Sequence, residues 1–325
     1  MKAKEFLRKV LELTLPKLQQ EGILAKEYHE VEQVPPKPGD SWGQHDAMVS
    51  LALCNKAVKN ERKNRYCNLF PFDKNIVNVE SDPDFYINAS WMQVLPWLPD
   101  RRFIVTMAPM HPNSYSSQMK SDFDENVPEN TCPDFWKMIW ETDAKIIVML
   151  CKVQAGFTGC SEYFPTKSGD KAKHGDYKIE NVKTIEDDTI LQREFVISRG
   201  EETKKVTHLQ FTAWPNYGVP GSAETVSKFI KLVAAKQVEL KSGDPELVIH
   251  CSGGIGRSGA FLTSYAAYSY FSGLKDDQTP NPEELNLIDI VKSLRMQRHP
   301  WMVEGLHQYE MAYLVILNLL KELSN

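Results

Sequence analysis

The chain has 325 residues, 42% of them hydrophobic and 25% charged, with a formal net charge of −5. This is ordinary globular composition, long enough to bury a large core, and its acidic balance argues against a nucleic-acid binder. Six cysteines, at 54, 67, 132, 151, 160 and 251, are scattered without Cys-x-x-Cys pairs, which points away from a zinc site or a disulfide framework and towards a reducing compartment.

From Glu5 to Leu13 apolar residues recur at helical spacing, but charges interrupt the run. It is neither a signal peptide nor a membrane span. A helix packed on the domain is expected, with a docking helix as the alternative. Val34-Pro35-Pro36-Lys37-Pro38-Gly39 cannot be helical and reads as a stiff connector. Residues 1–44 are therefore expected to be an N-terminal helix and Pro-rich connector, and 45–325 one domain. A local basic patch near Arg65 would suit acidic phosphopeptides. Two polar stretches, 112–128 and 272–283, read as solvated excursions, with partner binding as the other reading.

Between these stretches, 184–209 alternates in short strands. One covers 191–198, a charged turn follows at Arg199-Gly200-Glu201-Glu202, and a second strand begins at Lys205. Strands here and helices towards both ends predict an α/β fold, a central twisted mixed sheet flanked by helices. No internal repeat or low-complexity tract interrupts it.

The most informative run is Val248-Ile249-His250-Cys251-Ser252-Gly253-Gly254-Ile255-Gly256-Arg257-Ser258-Gly259, followed by residues that can continue as a helix. Strand, glycine arch and helix N-terminus concentrate backbone N–H groups and positive dipole in one small volume. A cysteine at the mouth of such an arch ionises easily, and the thiolate is the nucleophilic form. Arg257 offers a planar fork for two oxygens of one phosphate. Gly253, Gly254 and Gly256 let the backbone curl around an anion. Ser258 is placed to hydrogen-bond the sulfur, and His250 to orient the loop. Ser252 and Ile255 complete the arch. The plain alternative is a buried structural cysteine beside a glycine turn. A nucleotide loop fits poorly, because the Lys-Ser/Thr ending of a P-loop and the third glycine of a dinucleotide fingerprint are both absent.

This run resembles the Cys-x5-Arg signature of the phosphotyrosine-specific protein tyrosine phosphatases. Lys63-Asn64-Arg65-Tyr66 with Pro71-Phe72-Asp73 resembles that family's phosphotyrosine-recognition loop. Tyr86 to Ser90, Asp134 to Glu141, Ile146 to Leu150, Tyr163-Phe164-Pro165, Thr212 to Pro220, Gln297-Arg298 and Gln308-Tyr309 resemble its core motifs in order. The likeness runs from about residue 45 to 320. It implies the tyrosine phosphatase fold, a cysteinyl-phosphate intermediate at Cys251, Tyr66 stacking along a phosphotyrosine ring, and a pocket too deep for phosphoserine or phosphothreonine. It implies no metal and no organic cofactor.

The catalytic set departs from the family pattern. Phenolate is a basic leaving group that a general acid should protonate, worth about 10²–10⁴-fold in rate. The family's acid is an aspartate two residues after the loop tryptophan; here that position is Asn216, which can hydrogen-bond but cannot deliver a proton. The glutamine that positions the hydrolytic water aligns with Glu304, four residues before Gln308. Glu304 can act as a base on that water, or its charge can repel the phosphoenzyme. The aspartate that holds the substrate backbone aligns with Asn68. A lysine expected before Cys160 is Gly159, an acid expected six residues before Cys160 is Gln154, and Gln-Gly-Pro has become Met107-Ala108-Pro109.

The first reading is a tyrosine phosphatase, slowed or specialised by Asn216, with phosphotyrosine proteins as substrates. The second is a pseudophosphatase that holds phosphotyrosyl proteins without efficient turnover. A scaffold acting through the inserted loops gives no reason for the Cys251–Arg257 pair. A cytoplasmic, reducing location is expected, in the parent cell or after delivery into a host, with no membrane insertion.

Overall fold

The computed structural model describes residues 5, 7–12, 20, 22–32, 53–111, 128–154, 160–216, 218–274 and 287–324. The expected connector at 34–39, the boundary at 44/45, Gly159 and most of both polar stretches lie outside them. Helices α1 (Ile23–Glu32) and α2 (Asn55–Lys59) precede strands β1 (Ala89–Val94) and β2 (Leu98–Thr106). Then come α3 (Cys132–Glu141), β3 (Ile146–Met149), β4 (Lys171–His174), β5 (Tyr177–Asp187), β6 (Ile190–Arg199) and β7 (Glu202–Phe211). The chain ends with α4 (Ala223–Leu240), β8 (Val248–His250), α5 (Gly256–Ser272), α6 (Leu287–Gln297) and α7 (Leu306–Ser324).

The strands form one mixed sheet in the order β1-β2-β8-β3-β7-β6-β5-β4. Its middle is parallel: β8 pairs with β2 and β3, and β3 with β7. Parallel strands buried on both faces read as continuous apolar runs, which is the character of Ile146-Ile147-Val148-Met149, fully buried along its length. The remaining neighbours are antiparallel, including the long β5-β6-β7 meander. Its β6–β7 turn is tighter than the four-residue expectation, with Gly200 at φ +61° completing it.

Side-chain alternation divides the core in two. Phe103, Val105, Ile146, Val148 and Ile249 face a layer built from α4, α5, α6 and α7. Ile104, Ile147, Met149 and Val248 face α3 and its aromatic residues Phe135, Trp136 and Trp140. Period two along each strand puts one set on each face. Leu7, Val10 and Leu11 are buried in the first layer. Helix α5 is the central helix of that layer, buried from Gly256 through Ala267. Ser272, the first residue of the second polar stretch, is the last residue of this helix.

Because β8 is short and flanked by parallel neighbours, its C-terminal end opens at the sheet's carboxyl edge. That edge is where open α/β sheets place ligands. No helix among the described residues is long and apolar enough to cross a membrane.

Candidate active site

Cys251 follows β8 directly, and five residues later α5 begins at Gly256. Gly254 has φ +69°, and a Cβ there would stand 2.2 Å from the Thr106 carbonyl oxygen, so only glycine fits. Its N–H donates to Cys251 Sγ at 3.2 Å. The carbonyls of the arch turn the other way, onto the buried Arg298. That guanidinium gives Nε to Gly254 O at 2.6 Å and Nη2 to Gly253 O at 3.4 Å. Arg298 is itself held by Ser90 Oγ (3.1 Å) and Asn88 Oδ1 (2.9 Å). Pinning both carbonyls outward leaves the loop's N–H groups turned inward. Burial lowers the Arg298 pKa to about 10, so it stays charged at neutral pH.

The thiol is buried, which opposes ionisation. The Arg257 charge, the Ser258 hydroxyl and N–H, and the Gly254 N–H together outweigh that and hold Cys251 below its ordinary value. Ser258 Oγ makes no other hydrogen bond, so its proton is available to the sulfur. Arg257 is buried and donates Nη1 to the Trp214 carbonyl oxygen at 3.3 Å and Nη2 to the amide oxygen of Asn216. The loop that carries Asn216 is thereby latched onto the anion-binding arginine.

His250 faces the opposite way, into the core. Its Nδ1 lies 3.1 Å from the Cys251 carbonyl oxygen, which can only accept, so Nδ1 carries the proton. Nε2 then accepts from Tyr163 Oη at 2.7 Å. The Tyr163 oxygen accepts from His208 Nε2 at 3.0 Å, and His208 Nδ1 accepts from Arg193 Nη1 at 3.4 Å. One consistent direction of donation thus runs from Arg193 through two histidines and a tyrosine to the backbone of the cysteine loop. Burial, reinforced by the Arg193 charge, pushes the His208 pKa well below its usual value, which keeps that ring neutral.

A cavity of 150 Å³ stands over the sulfur. Tyr66, Asn68, Asn216, Cys251, Ser252, Gly253, Ile255, Gly256, Arg257, Glu304 and Gln308 line it, with Leu69 and Trp301 added. The structure thus brings together every sequence-predicted site residue except His250, Gly254 and Ser258, which support the arch from behind. Tyr66 and Ser252 share a hydroxyl–hydroxyl bond of 2.7 Å at the pocket wall. Asn68 lies at the exposed mouth, its carbonyl accepting from His299 Nε2 at 3.1 Å. Gln308 is buried beside the pocket, and its amide oxygen has no hydrogen-bond partner among the described residues. Glu304 is solvent-accessible but crowded. Partial desolvation raises its carboxyl pKa despite the nearby His307 and Arg257 charges.

One sequence expectation needs correction. Arg65 itself adds nothing to a basic surface. Arg65 is 3% exposed and donates to Pro109 O at 2.9 Å, and Lys63 pairs with Asp134 at 3.1 Å. Its side chain is a strut under the recognition loop. Scattered in sequence, Cys151 and Cys160 nevertheless meet beside His250, their ligand-type atoms within 4.8 Å of one another. Both ring nitrogens of His250 are already engaged, and the cluster packs as a hydrogen-bonded core. The Arg298 strut and the Tyr163–His208–Arg193 chain also escaped sequence reasoning.

Comparison with known proteins fits this geometry. The chain is 38% identical over 192 residues to tyrosine-protein phosphatase 2 of Dictyostelium discoideum, covering 58% of this chain and 48% of that protein. It is 30% identical over 270 residues to receptor-type tyrosine-protein phosphatase eta of Mus musculus, covering 81% and 19% respectively. Against tyrosine-protein phosphatase non-receptor type 20 of Homo sapiens the identity is 29% over 267 residues, covering 81% and 56%. The chain therefore spans only about half, or less, of the length of these relatives. The profile of the family described as protein-tyrosine phosphatase matches residues 60–318, an interval that holds every residue lining the pocket, and the chain belongs to that family.

Proposed function

We propose that this chain hydrolyses phosphotyrosine in proteins through a phosphocysteine intermediate at Cys251, with a slowed first step. The observation that carries the reading is the sulfur itself. A thiol held below its ordinary pKa accepts an N–H from Gly254 and lies under the Arg257 guanidinium in a phosphate-sized cavity. In the first step Cys251 Sγ forms a bond to phosphorus as the bond from phosphorus to the tyrosyl oxygen breaks. Arg257 and the inward N–H groups hold the phosphoryl oxygens. Tyr66 lines the wall where the substrate ring lies. Asn216 offers the leaving oxygen no proton, so the phenolate takes one from water. In the second step water attacks phosphorus, Glu304 accepts its proton, Gln308 orients it, and the thiolate is restored. The chemistry needs no metal or organic cofactor. A reducing, cytoplasmic setting, which keeps Cys251 as thiolate, completes the proposal.

A second reading, capture of phosphotyrosyl proteins with little turnover, is favoured by the bond from Arg257 to Asn216, since the acid is missing while the anion cradle is whole. Stopped-flow assays with p-nitrophenyl phosphate and a phosphotyrosine peptide separate the two. The enzyme reading expects a burst and then slow turnover with the aryl phosphate, both lost in Cys251→Ser. A folded chain that releases nothing from either substrate overturns it.

A further inference from the structure

Beside the phosphate pocket lies a second cavity, of 480 Å³, and Trp301 and Glu304 stand in the walls of both. Tyr28 and Glu32 of α1, Arg295 of α6 and Gly305 form much of the rest. Their hydrogen bonds decide which of these groups face a ligand. Arg295 is buried and gives Nε to Met302 O at 3.0 Å and Nη1 to Val31 O at 3.1 Å. Its Nη2 reaches Tyr28 Oη at 3.2 Å and Val303 O at 3.4 Å. Tyr28 Oη in turn accepts the Gly305 N–H at 2.7 Å. The one cation among the described lining residues, Arg295, is thus spent on fixing the segment between α6 and α7. That segment is strained: Val303, a β-branched residue, has φ +58°, and Gly305 has φ +83°.

Glu304 stands between those two residues and makes no hydrogen bond or ion pair within 4 Å among the described residues. Glu32 is exposed, and its nearest cationic partner is the exposed His29, at 3.9 Å. Trp301 is 44% exposed. What the cavity offers a ligand is therefore two carboxylates and an indole face. That combination rejects anions and suits an extended cation, whose stem lies along the ring while its charge meets the carboxylates.

We propose that this cavity is a specificity pocket for a lysine or arginine side chain of the substrate protein, within a few residues of the phosphotyrosine bound over Cys251. The inference rests on the phosphotyrosine-binding reading above. Continuity through Trp301 and Glu304 lets one peptide fill both cavities.

The test uses the full chain as Cys251→Ser, so that bound peptide is not consumed. Fluorescence anisotropy compares phosphotyrosine peptides carrying Lys, Ala or Glu at each of the three positions on either side, together with unphosphorylated controls. The expected result is about five- to tenfold tighter binding for Lys than for Ala at one position, and weaker binding for Glu there. Glu32→Gln should blunt that preference and Glu32→Lys reverse it. Glu202→Lys, at the far end of the sheet, should leave it in place. The inference is overturned by phosphate-dependent binding with no positional preference. It is equally overturned if the preference survives Glu32→Lys or changes to the same degree in Glu202→Lys, which reports net charge alone. Binding without phosphate dependence overturns the phosphotyrosine reading as well, and the controls distinguish that failure from the others.

Discussion

Arg257 donates to the amide oxygen of Asn216, so the arginine proposed to grip phosphate also holds the loop where the resemblance places a general acid. An aspartate at 216 would keep an oxygen for the same guanidinium and, in its protonated form, would have a proton to give. The amide keeps the latch and loses the acid.

Replacing Asn216→Asp should therefore raise kcat on phosphotyrosine peptides by about 10²–10⁴-fold, the usual worth of general acid catalysis. The gain with p-nitrophenyl phosphate should be much smaller, because that leaving group departs without a proton. Steady-state kinetics on both substrates check this. Equal gains on the two would mean that the substitution acts on the Arg257 grip rather than on proton transfer.

Ionisation of Cys251 should respond to the groups that lower its pKa. Iodoacetate inactivation follows the thiolate fraction, so its rate should level off at a pH below the ordinary thiol value. Arg257→Ala removes the largest favourable influence and should move that inflection upward, with Ser258→Ala moving it less. An inflection unchanged in Arg257→Ala would show that the loop N–H groups alone hold the thiolate.

Much of this site was legible because its core is local. Cys251, Gly254, Gly256 and Arg257 fall within seven residues, and strand-arch-helix geometry follows from their order. The mixed sheet was legible from the alternating strands of 184–209, but its parallel centre, which joins β2, β8, β3 and β7 from distant parts of the chain, was not. What stayed hidden depends on residues far apart in sequence. Arg298 reaches Gly254 across 44 positions, and Tyr163 reaches His250 across 87. Arg65 looked like a surface cation because nothing in its neighbours tells that Pro109 would cover it. His250 sits next to Cys251 in sequence and its Nδ1 bonds the Cys251 carbonyl, but the chain of groups behind it has no local signature.

That chain should be costly to break at its middle. Tyr163→Phe strands His208 Nε2 and His250 Nε2 in a buried site, and each polar group left without a partner costs about 1–3 kcal/mol. Urea unfolding should show a loss of about 2–6 kcal/mol for the two groups together, with little change in slope. The iodoacetate rate should fall as the Cys251 carbonyl loses its fixed donor. A stability loss without any change in Cys251 reactivity would confine the chain to a structural role.

Acid sensitivity gives the last prediction. Burial lowers the His208 pKa well below its usual value and takes His299 to about 4, while both titrate near 6.5 once unfolded. Below pH 6.5 the unfolded chain therefore binds protons that the folded chain refuses. Their contribution to stability is complete above that pH and declines as pH falls, ending for His299 near pH 4. Each such histidine contributes a slope of up to about 1.4 kcal/mol per pH unit within its window. Unfolding free energies measured between pH 7.5 and 4.5 should decline across that interval. The decline should be shallower in His299→Gln, whose side chain cannot be protonated. An identical slope in that variant would mean that other groups, not the buried imidazole, set the acid limit of the fold.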